Sequence, residues 1–240
     1  MPVQLGVNLD HIATIRQVRG AEYPKPYDGA VICEELKVHG VTLHLREDRR
    51  HIQEHDVIEI KKLLKGCTLN LEMALNEDVI EFARGVHPYM ATIVPERREE
   101  LTTEGGLDVR KNFDRIATLC RDFHARGILV SLFIESDDDL VKLSKEAGAD
   151  YIEIHTGAYA DSRAGARDAE LARILKAAET AVSCGLRVNA GHGLNYDNIM
   201  PVLDMKGLEE VNIGHSIISR AVIVGLKQAV QEMLDILGRK

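Results

Sequence analysis

The sequence predicts a (β/α)8 barrel, the α/β fold in which eight parallel strands alternate with helices. Three observations indicate it. The chain has 240 residues, close to the ~250 that are typical of this fold. Eight short apolar runs alternate with helical patterns, and the order "helix, glycine, strand" recurs along the chain. Alternation of this kind indicates a parallel sheet, and eight units in this length favour a closed barrel.

The predicted strands are short and mostly rich in Val, Ile, Leu and Thr, as buried parallel strands are. They are Val3–Leu9, Val41–Leu45, Thr68–Met73, Tyr89–Val94, Ile128–Ile134, Tyr151–Ile154, Arg187–Ala190 and Glu210–Ile213. No G-x-G-x-x-G motif follows the first strand, which argues against an open dinucleotide-binding sheet. No linker interrupts the pattern, so we expect a single catalytic domain over residues 1–240.

Helical patterns follow the strands, and several begin with Asp, Asn or Ser, which are good N-cap residues. They are Asp28–Val38, Asp56–Leu64, Asn76–Ala83, Asp108–Ala125, Asp137–Ala147, Asp168–Cys184, Asn195–Leu203 and Ser216–Leu237. Gly20–Tyr27 is predicted to be an ordered loop after the first strand. Pro95–Gly106 is predicted to be a longer polar loop that acts as a mobile lid.

Composition and charge narrow the function. The chain has 30 basic and 38 acidic residues and a formal net charge of −8, which argues against nucleic acid as a partner but not against anionic small molecules. The cysteines Cys33, Cys67, Cys120 and Cys184 form no CxxC pair, so reduced thiols in the cytoplasm are expected. The sequence predicts neither a secretory signal nor a membrane span.

Polar residues gather at the predicted C-terminal ends of the strands, where barrels of this kind carry their chemistry. Residues two apart on a strand share a face, and His44 with Arg46, Asn70 with Glu72, and Glu153 with His155 have that spacing. The full set is Asn8, Asp10, His11, Thr42, His44, Arg46, Asn70, Glu72, Glu153, His155, His192 and His215. Buried charges are unfavourable unless they are partnered, so this pattern indicates a functional site.

Histidines elsewhere are assigned different roles. His155 is interpreted as a core histidine rather than a catalytic one. The surface is predicted for His39, His55, His87 and His124.

Two glycine-containing turns follow the last two strands. The segments NAGHG, with His192 and Gly193, and NIGHS, with Gly214 and His215, stand where many such barrels bind phosphate through backbone N–H groups. Glycine lets the backbone approach an anion without a clashing Cβ. Ordinary tight turns are the alternative interpretation.

Two features that are absent from the sequence narrow the possible reaction types further. All twelve lysines fall outside the predicted strands and their C-terminal ends, which argues against a Schiff-base aldolase. No H-x-H or H-E-x-x-H spacing is present; Glu72, His44 and His192 could together hold a metal, but we expect none. Acid–base chemistry by His and Glu remains, with Arg and backbone amides for anions.

Long polar motifs carry a resemblance that covers nearly the whole chain. The sequence resembles the pyridoxine 5′-phosphate synthase family in the segments NLDHIATIRQVRG, HLREDRRHI, NLEMA, VPERREELTTEGGLDV, SLFIE, IEIHTGAYAD, VNAGHGLNYDN and NIGHSIISRAV. The resemblance implies a TIM barrel with extra helices, assembled as a homo-octamer that is built from dimers. It implies a transferase that condenses 3-amino-2-oxopropyl phosphate with 1-deoxy-D-xylulose 5-phosphate into pyridoxine 5′-phosphate, without metal or organic cofactor.

The resemblance also implies a role for individual residues. His44 and Glu72 would be acid–base residues, His192 a proton donor, and Glu153 a group that stabilises charged intermediates. The amino-ketone phosphate would be held by Asn8, Arg19, Gly193, Gly214 and His215. The deoxyxylulose phosphate would be held by Asp10, His11, Arg46, His51 and Thr102. Arg19 is expected to serve the site of a neighbouring subunit.

Two other functions stay open from the sequence. One is a phosphosugar isomerase or epimerase on the same barrel, which would need one substrate instead of two. The other is a phosphate-ligand sensor that has lost catalysis, although the presence of His44, Glu72 and His192 argues against it.

Overall fold

The computed structural model describes residues 2–96 and 105–238. Its described part contains eight strands, and they close into one parallel barrel in chain order. The strands are β1 (Gln4–Asn8), β2 (Gly40–His44), β3 (Thr68–Met73), β4 (Met90–Ile93), β5 (Leu129–Ile134), β6 (Tyr151–His155), β7 (Arg187–Gly191) and β8 (Leu208–Ile213). The predicted fold is confirmed.

Helices connect the strands and surround the barrel. Within the described residues they are α1 (Asp10–Arg19), α2 (Pro26–Leu36), α3 (Glu54–Leu63), α4 (Glu77–Val86), α5 (Val109–His124), α6 (Asp138–Glu146), α7 (Gly157–Asp161), α8 (Ala164–Ser183), α9 (Ile199–Val202), α10 (His215–Val224) and α11 (Leu226–Leu237). Three predicted N-caps are confirmed, because the side chains of Asn76, Asp108 and Asp137 accept backbone N–H groups of α4, α5 and α6.

The helix predictions fail where a boundary depends on tertiary packing. The first strand ends at Asn8, and α1 follows directly from Asp10, so Asp10 and His11 lie on a helix and not on the strand. This helix has no side-chain N-cap and buries the polar Arg16 on its inner face, so it lacks both signals that predict a helix. The single predicted helix Ser216–Leu237 is two helices, because Gly225 adopts a φ of +86° between them.

Smaller errors concern three further elements. The predicted helix Asn195–Leu203 shrinks to the short α9, and the one predicted from Asp168 begins earlier, at Ala164. Helix α7 was not predicted, since its five residues are too few for a periodic pattern.

The apolar core lies between the barrel and the helices. Residues at alternate strand positions, among them Val41, Leu43, Leu69 and Leu71, are at most 1% exposed and belong to one hydrophobic cluster with the inner faces of the helices. Because side chains alternate along a strand, the intervening positions point into the barrel. This alternation divides an apolar outer layer from the barrel interior.

The barrel interior is polar, where many barrels are filled by branched aliphatic side chains. Thr42 donates to Asn212 Oδ1 at 3.0 Å, and Asn212 donates to Glu153 Oε2 at 2.7 Å. Thr92 donates to Asn70 Oδ1 at 2.8 Å. Hydrogen bonds of this kind offset the burial of polar groups. They form a network beneath the C-terminal ends of the strands and fix the side chain of Glu153.

Candidate active site

A cavity of about 540 Å³ opens at the C-terminal ends of the strands. It is lined by Asn8, Asp10, His11, Thr14, His44, Arg46, His51, Glu72, Val94, Phe133, Glu153, His192, Gly193, Asn212, Ile213, Gly214 and His215. The structure thus brings together every residue to which the resemblance assigns a role except Arg19 and Thr102. Of the other polar residues predicted at the strand ends, Thr42, Asn70 and His155 do not line the cavity. Thr102 lies outside the described residues, and Arg19 is exposed at the end of α1.

Asp10 organises the part of the cavity next to the C-terminal end of β1. Its Oδ1 accepts the backbone N–H of His44 at 2.9 Å, and its Oδ2 accepts the side-chain amide of Asn8 at 2.9 Å. The Oδ1 of Asn8 accepts the backbone N–H of Asp10 in return, also at 2.9 Å. The beginning of α1 is thereby tied to the end of β2, which fixes the backbone of His44.

The imidazole of His44 lies between two carboxylates. Its Nε2 is 2.8 Å from Glu96 Oε1, and its Nδ1 is 3.8 Å from Glu72 Oε2. His44 and Glu72 are register partners on the adjacent strands β2 and β3, so the sheet itself places them side by side. A histidine and a carboxylate placed side by side can exchange protons with the same molecule held in the cavity.

Glu72 and Glu153 are two buried carboxyl groups of the same cavity. Burial raises the pKa of Glu72 well above its usual range, and the charges of Glu153 and Asp10 act in the same direction. Burial raises the pKa of Glu153 to about 8, against the hydrogen bond from Asn212 and with the charge of Glu210. Burial thus shifts both groups toward the protonated form, which can donate a proton.

His192 stands on the turn after β7 in an unusual backbone conformation. Its φ is +72°, and that of Gly193 is +81°. A side chain other than glycine rarely adopts this region, and such residues are frequent at functional sites. Burial lowers the pKa of His192 to about 4; His155 and His11 also lower it, whereas Asp161 and Glu135 raise it. At neutral pH the ring is therefore neutral.

The turns after β7 and β8 meet at the beginning of α10. Gly214 is the N-cap of this ten-residue helix, and His215 is its first residue. Backbone N–H groups at a helix N-terminus attract anions. A Cβ at Gly214 would lie 3.0 Å from the side chain of Asn8, so a larger residue would require Asn8 to shift. The rings of His215 and His11 meet edge to face, with centroids 5.2 Å apart.

The loop after β2 presents Arg46 and His51 to the cavity, and a buried ion pair anchors it. Arg16 donates two hydrogen bonds of 2.7 Å to the carboxylate of Asp56 and one of 3.0 Å to the carbonyl of His51. Asp56 also accepts the backbone N–H of Gln53 as part of a capping box on α3. Burial lowers the pKa of His51. Sequence reasoning missed Arg16, because its partner is 40 positions away.

Histidines outside the cavity follow the predictions only in part. His55, His87 and His124 are exposed, as predicted. His39 is half-buried and paired with Glu210 near the N-terminal ends of the strands. His155 is buried, and its Nδ1 lies 2.8 Å from Glu135 Oε1. Its ring packs against His192, with centroids 5.0 Å apart, but it does not line the cavity.

Several residues of the site were not predicted. Thr14, Asn212 and Phe133 line the cavity, and Glu96 binds His44 from behind. Asn212 could have been found, since it is an inward polar residue on β8 two positions before Gly214. Glu96 gave no signal, because it lies beyond the end of β4 in a polar segment.

Lysines and possible metal ligands bear on the chemistry. In the part of the chain that the structure describes, no lysine lines the cavity. The side chains of Asp10, His44 and Glu72 each offer an atom within 4.8 Å of the others, a grouping that could hold a metal ion. The trio considered from the sequence contained His192 in place of Asp10. None of the described helices is both long and apolar enough to cross a membrane.

Comparison with known proteins assigns the family. The family described as "Pyridoxal phosphate biosynthesis protein PdxJ" matches residues 5–239. The chain is 52% identical over 234 residues to "Pyridoxine 5′-phosphate synthase" of Geotalea uraniireducens, and equally so to that of Geobacter sulfurreducens. Each alignment covers 97% of this chain and 98% of the relative.

Solved structures share the fold at much lower identity. The tryptophan synthase A-subunit of Pyrococcus furiosus aligns with a TM-score of 0.64 at 11% identity, over 98% of both chains. Phosphoribosyl anthranilate isomerase of Thermus thermophilus aligns with a TM-score of 0.63, also at 11% identity, over 99% of both chains. These likenesses concern the barrel alone. On the family match and the relatives together, the chain is an enzyme that belongs to the PdxJ family of pyridoxal phosphate biosynthesis proteins.

Proposed function

We propose that the enzyme condenses 3-amino-2-oxopropyl phosphate with 1-deoxy-D-xylulose 5-phosphate to form pyridoxine 5′-phosphate, releasing phosphate and water. One observation carries the proposal. A single cavity combines three carboxyl groups and several histidines with two separate sets of residues whose chemistry suits anions. An isomerase of one phosphorylated sugar needs one such set, whereas two phosphorylated reactants need both.

The two sets flank β1. Gly193, Gly214 and His215 follow β7 and β8, on one side, and with Asn8 they are proposed to hold the amino-ketone phosphate. Arg46 and His51 follow β2, on the other side, and with Asp10 and His11 they are proposed to hold the deoxyxylulose phosphate. Two reactants held side by side gain the rate advantage of proximity.

The proposed reaction is a series of proton transfers. The amine of one substrate attacks the ketone of the other, and loss of water gives an imine and then an enamine. Phosphate leaves, water adds, and an aldol-type closure with a final dehydration completes the ring. Each step needs a proton supplied or removed, and a well-placed acid or base typically contributes 10²–10⁴-fold.

The pKa shifts of the cavity residues suit these roles. Glu72 is proposed to donate a proton first and to act as a base afterwards, because its raised pKa favours the neutral acid. His44 is proposed as the base beside it, and Glu153 as the group that stabilises cationic intermediates. The neutral His192 is proposed to become a proton donor once anionic substrates, whose charge favours the imidazolium, occupy the cavity.

The amine is proposed to arrive with the substrate and not from the protein. A Schiff base on the enzyme would need a lysine at the cavity, and the lining contains none among the described residues. The reaction is also proposed to need no metal. Both oxygens of Asp10 accept hydrogen bonds, from His44 and Asn8, so this carboxylate already has a positioning role that involves no metal.

Binding measurements test the two-site arrangement. We expect the wild type to bind each substrate alone, as followed by calorimetry. Arg46→Ala should weaken binding of the deoxyxylulose phosphate by about 10–100-fold, the range expected when a charge-assisted hydrogen bond worth ~1.5–3 kcal/mol is lost. The affinity for the amino-ketone phosphate should change by no more than about twofold, well below that range. Equal weakening of both would contradict two separate sites.

The assembly is proposed to be a homo-octamer built from dimers. Exposed apolar side chains on the neighbouring helices α1 and α10 support a contact between subunits: Val18 is 85% exposed, Val222 72% and Ile223 77%. Apolar patches of this kind mark interaction surfaces. Arg19 lies next to Val18 and is exposed, so we propose that it reaches the cavity of a neighbouring subunit.

Mixed oligomers test the position of Arg19. Arg19→Ala and His192→Ala chains are each expected to be inactive alone, and their mixed oligomers should regain part of the activity. Some cavities would then draw an intact Arg19 and an intact His192 from different chains. Mixed oligomers, verified by mass spectrometry, that recover nothing would place Arg19 in the cavity of its own chain.

The cytoplasm is the proposed location. All four cysteines are free, and Cys33, Cys67 and Cys120 are buried. Free thiols are typical of a reducing compartment. The proposed partners are the two phosphorylated substrates and further copies of the same chain, and neither nucleic acid nor a membrane is proposed as a partner.

A further inference from the structure

Glu96 is a buried carboxylate that no proposed step uses. It lies beyond β4 at the C-terminal ends of the strands, and its side chain is 3% exposed. Its Oε1 lies 2.8 Å from His44 Nε2, and its Oε2 accepts the backbone N–H of Glu47 at 3.0 Å. Both oxygens are therefore fixed, one by a ring and one by the backbone.

Glu96 determines which nitrogen of His44 carries hydrogen. Burial opposes ionisation of Glu96, but the hydrogen bonds from His44 and from the Glu47 amide outweigh it, so its pKa is lowered. An ionised carboxylate can only accept hydrogen bonds. The Nε2 of His44 must therefore be the donor, and in the neutral ring Nδ1 is then free of hydrogen.

The Nδ1 nitrogen of His44 lies on the side of the proposed active-site cavity. Nδ1 of His44 is 3.8 Å from Glu72 Oε2, too far for a hydrogen bond between them, and both groups line the cavity. The backbone of His44 is held independently by Asp10. Nε2 of the ring is thus bound by Glu96, and Nδ1 is available beside Glu72. In other enzymes an orienting carboxylate gives a general-base histidine the same arrangement.

We infer that Glu96 is the positioning residue of His44, fixing its ring and tautomer so that it takes up protons at Nδ1 within the cavity. This inference rests on the proposed function, since it supplies the orientation that the proposed base needs. Glu96 itself does not line the cavity, so its contribution is made through His44.

A purely structural role is the alternative, in which Glu96 only ties the loop after β2 to β4. The chain provides a matched control for it. Asp150 Oδ2 lies 2.8 Å from His124 Nε2 and accepts the backbone N–H of Val130 at 2.8 Å, so this carboxylate also joins a ring and an amide, although through a single oxygen. It stands just before β6, at the opposite end of the barrel.

Steady-state kinetics of Glu96→Gln and Asp150→Asn separate the two roles. Glu96→Gln should lower kcat by about 10²-fold or more, as expected when the tautomer of a catalytic histidine is no longer fixed. KM should stay within about threefold, because no contact with substrate is lost. Glu96→Asp, which keeps the charge, should retain more activity, and Asp150→Asn should match the wild type. A kcat of Glu96→Gln close to that of Asp150→Asn would overturn the inference.

A second measurement does not depend on turnover. In a crystal structure of unliganded Glu96→Ala, we expect the His44 ring to rotate about χ2 or to occupy two orientations. A single ring orientation identical to that of the wild type would overturn the inference. Failure of the wild type to use both substrates would instead overturn the proposed function, and this test of Glu96 would still stand.

Discussion

Replacing Glu72 by Gln is expected to lower kcat by about 10²–10⁴-fold, the range for loss of a general acid or base. The amide keeps the shape of the side chain but can neither give nor take up the proton. Because Glu72 is proposed to transfer protons and not to hold phosphate, KM should change little.

The stability of the same variant distinguishes a catalytic role from a structural one. The pKa of Glu72 is raised because burial and the charges of Glu153 and Asp10 disfavour its ionised form. A raised carboxyl pKa means that the folded protein loses stability as pH rises from the unfolded pKa through the folded one. Gln removes that penalty, so the melting temperature at pH 8 should not fall.

A buried carboxylate elsewhere in the barrel serves as the control for Glu72. Glu210 lies on β8 near the opposite end and is paired with His39. Glu210→Gln is expected to lower kcat less than tenfold, below the range for loss of a proton-transfer group. Near-normal kcat in Glu72→Gln, or a loss of kcat that follows a loss of stability, would make Glu72 structural.

The second large effect concerns stability. Asp56→Ala should lower the free energy of unfolding by about 3–5 kcal/mol, because it leaves the guanidinium of Arg16 buried without its carboxylate. The side chains of Arg16 and Asp56 are only 5% and 4% exposed. The same change removes the capping box of α3. Chemical denaturation followed by circular dichroism measures the difference.

Asp56→Ala is to be compared with two further variants. The double variant Arg16→Met with Asp56→Leu should lose less stability than Asp56→Ala, since no charge remains stranded. Asp139→Asn breaks an ion pair whose side chains are 56% and 66% exposed, and it should change stability far less. A loss in Asp56→Ala no larger than that in Asp139→Asn would show that the buried pair contributes little.

The sequence predicts the barrel and most of the cavity for one physical reason. Side chains alternate along a strand, so an inward residue near a C-terminal strand end reaches the cavity in any barrel of this type. His44, Glu72 and Glu153 are recognisable on that ground. Gly193 and Gly214 are recognisable because many barrels of this type have glycine-containing turns for phosphate after the last two strands.

The residues that escape prediction act through pairings set by the folded chain. Arg16 meets Asp56 across 40 positions, and His44 meets Glu96 across 52. No local sequence pattern predicts either pair. The whole of α1 was missed for a related reason, since it buries the polar Arg16 in a tertiary contact and has no side-chain N-cap of its own.

Product formation tests the central proposal most directly. The purified protein is incubated with both phosphorylated substrates, with each alone, and with both in excess EDTA, and pyridoxine 5′-phosphate is measured by chromatography with fluorescence detection. We expect product only when both substrates are present, at an undiminished rate in EDTA. Conversion of one substrate alone, or loss of activity in EDTA that a single divalent ion restores, would contradict a metal-free condensation of two substrates in this cavity.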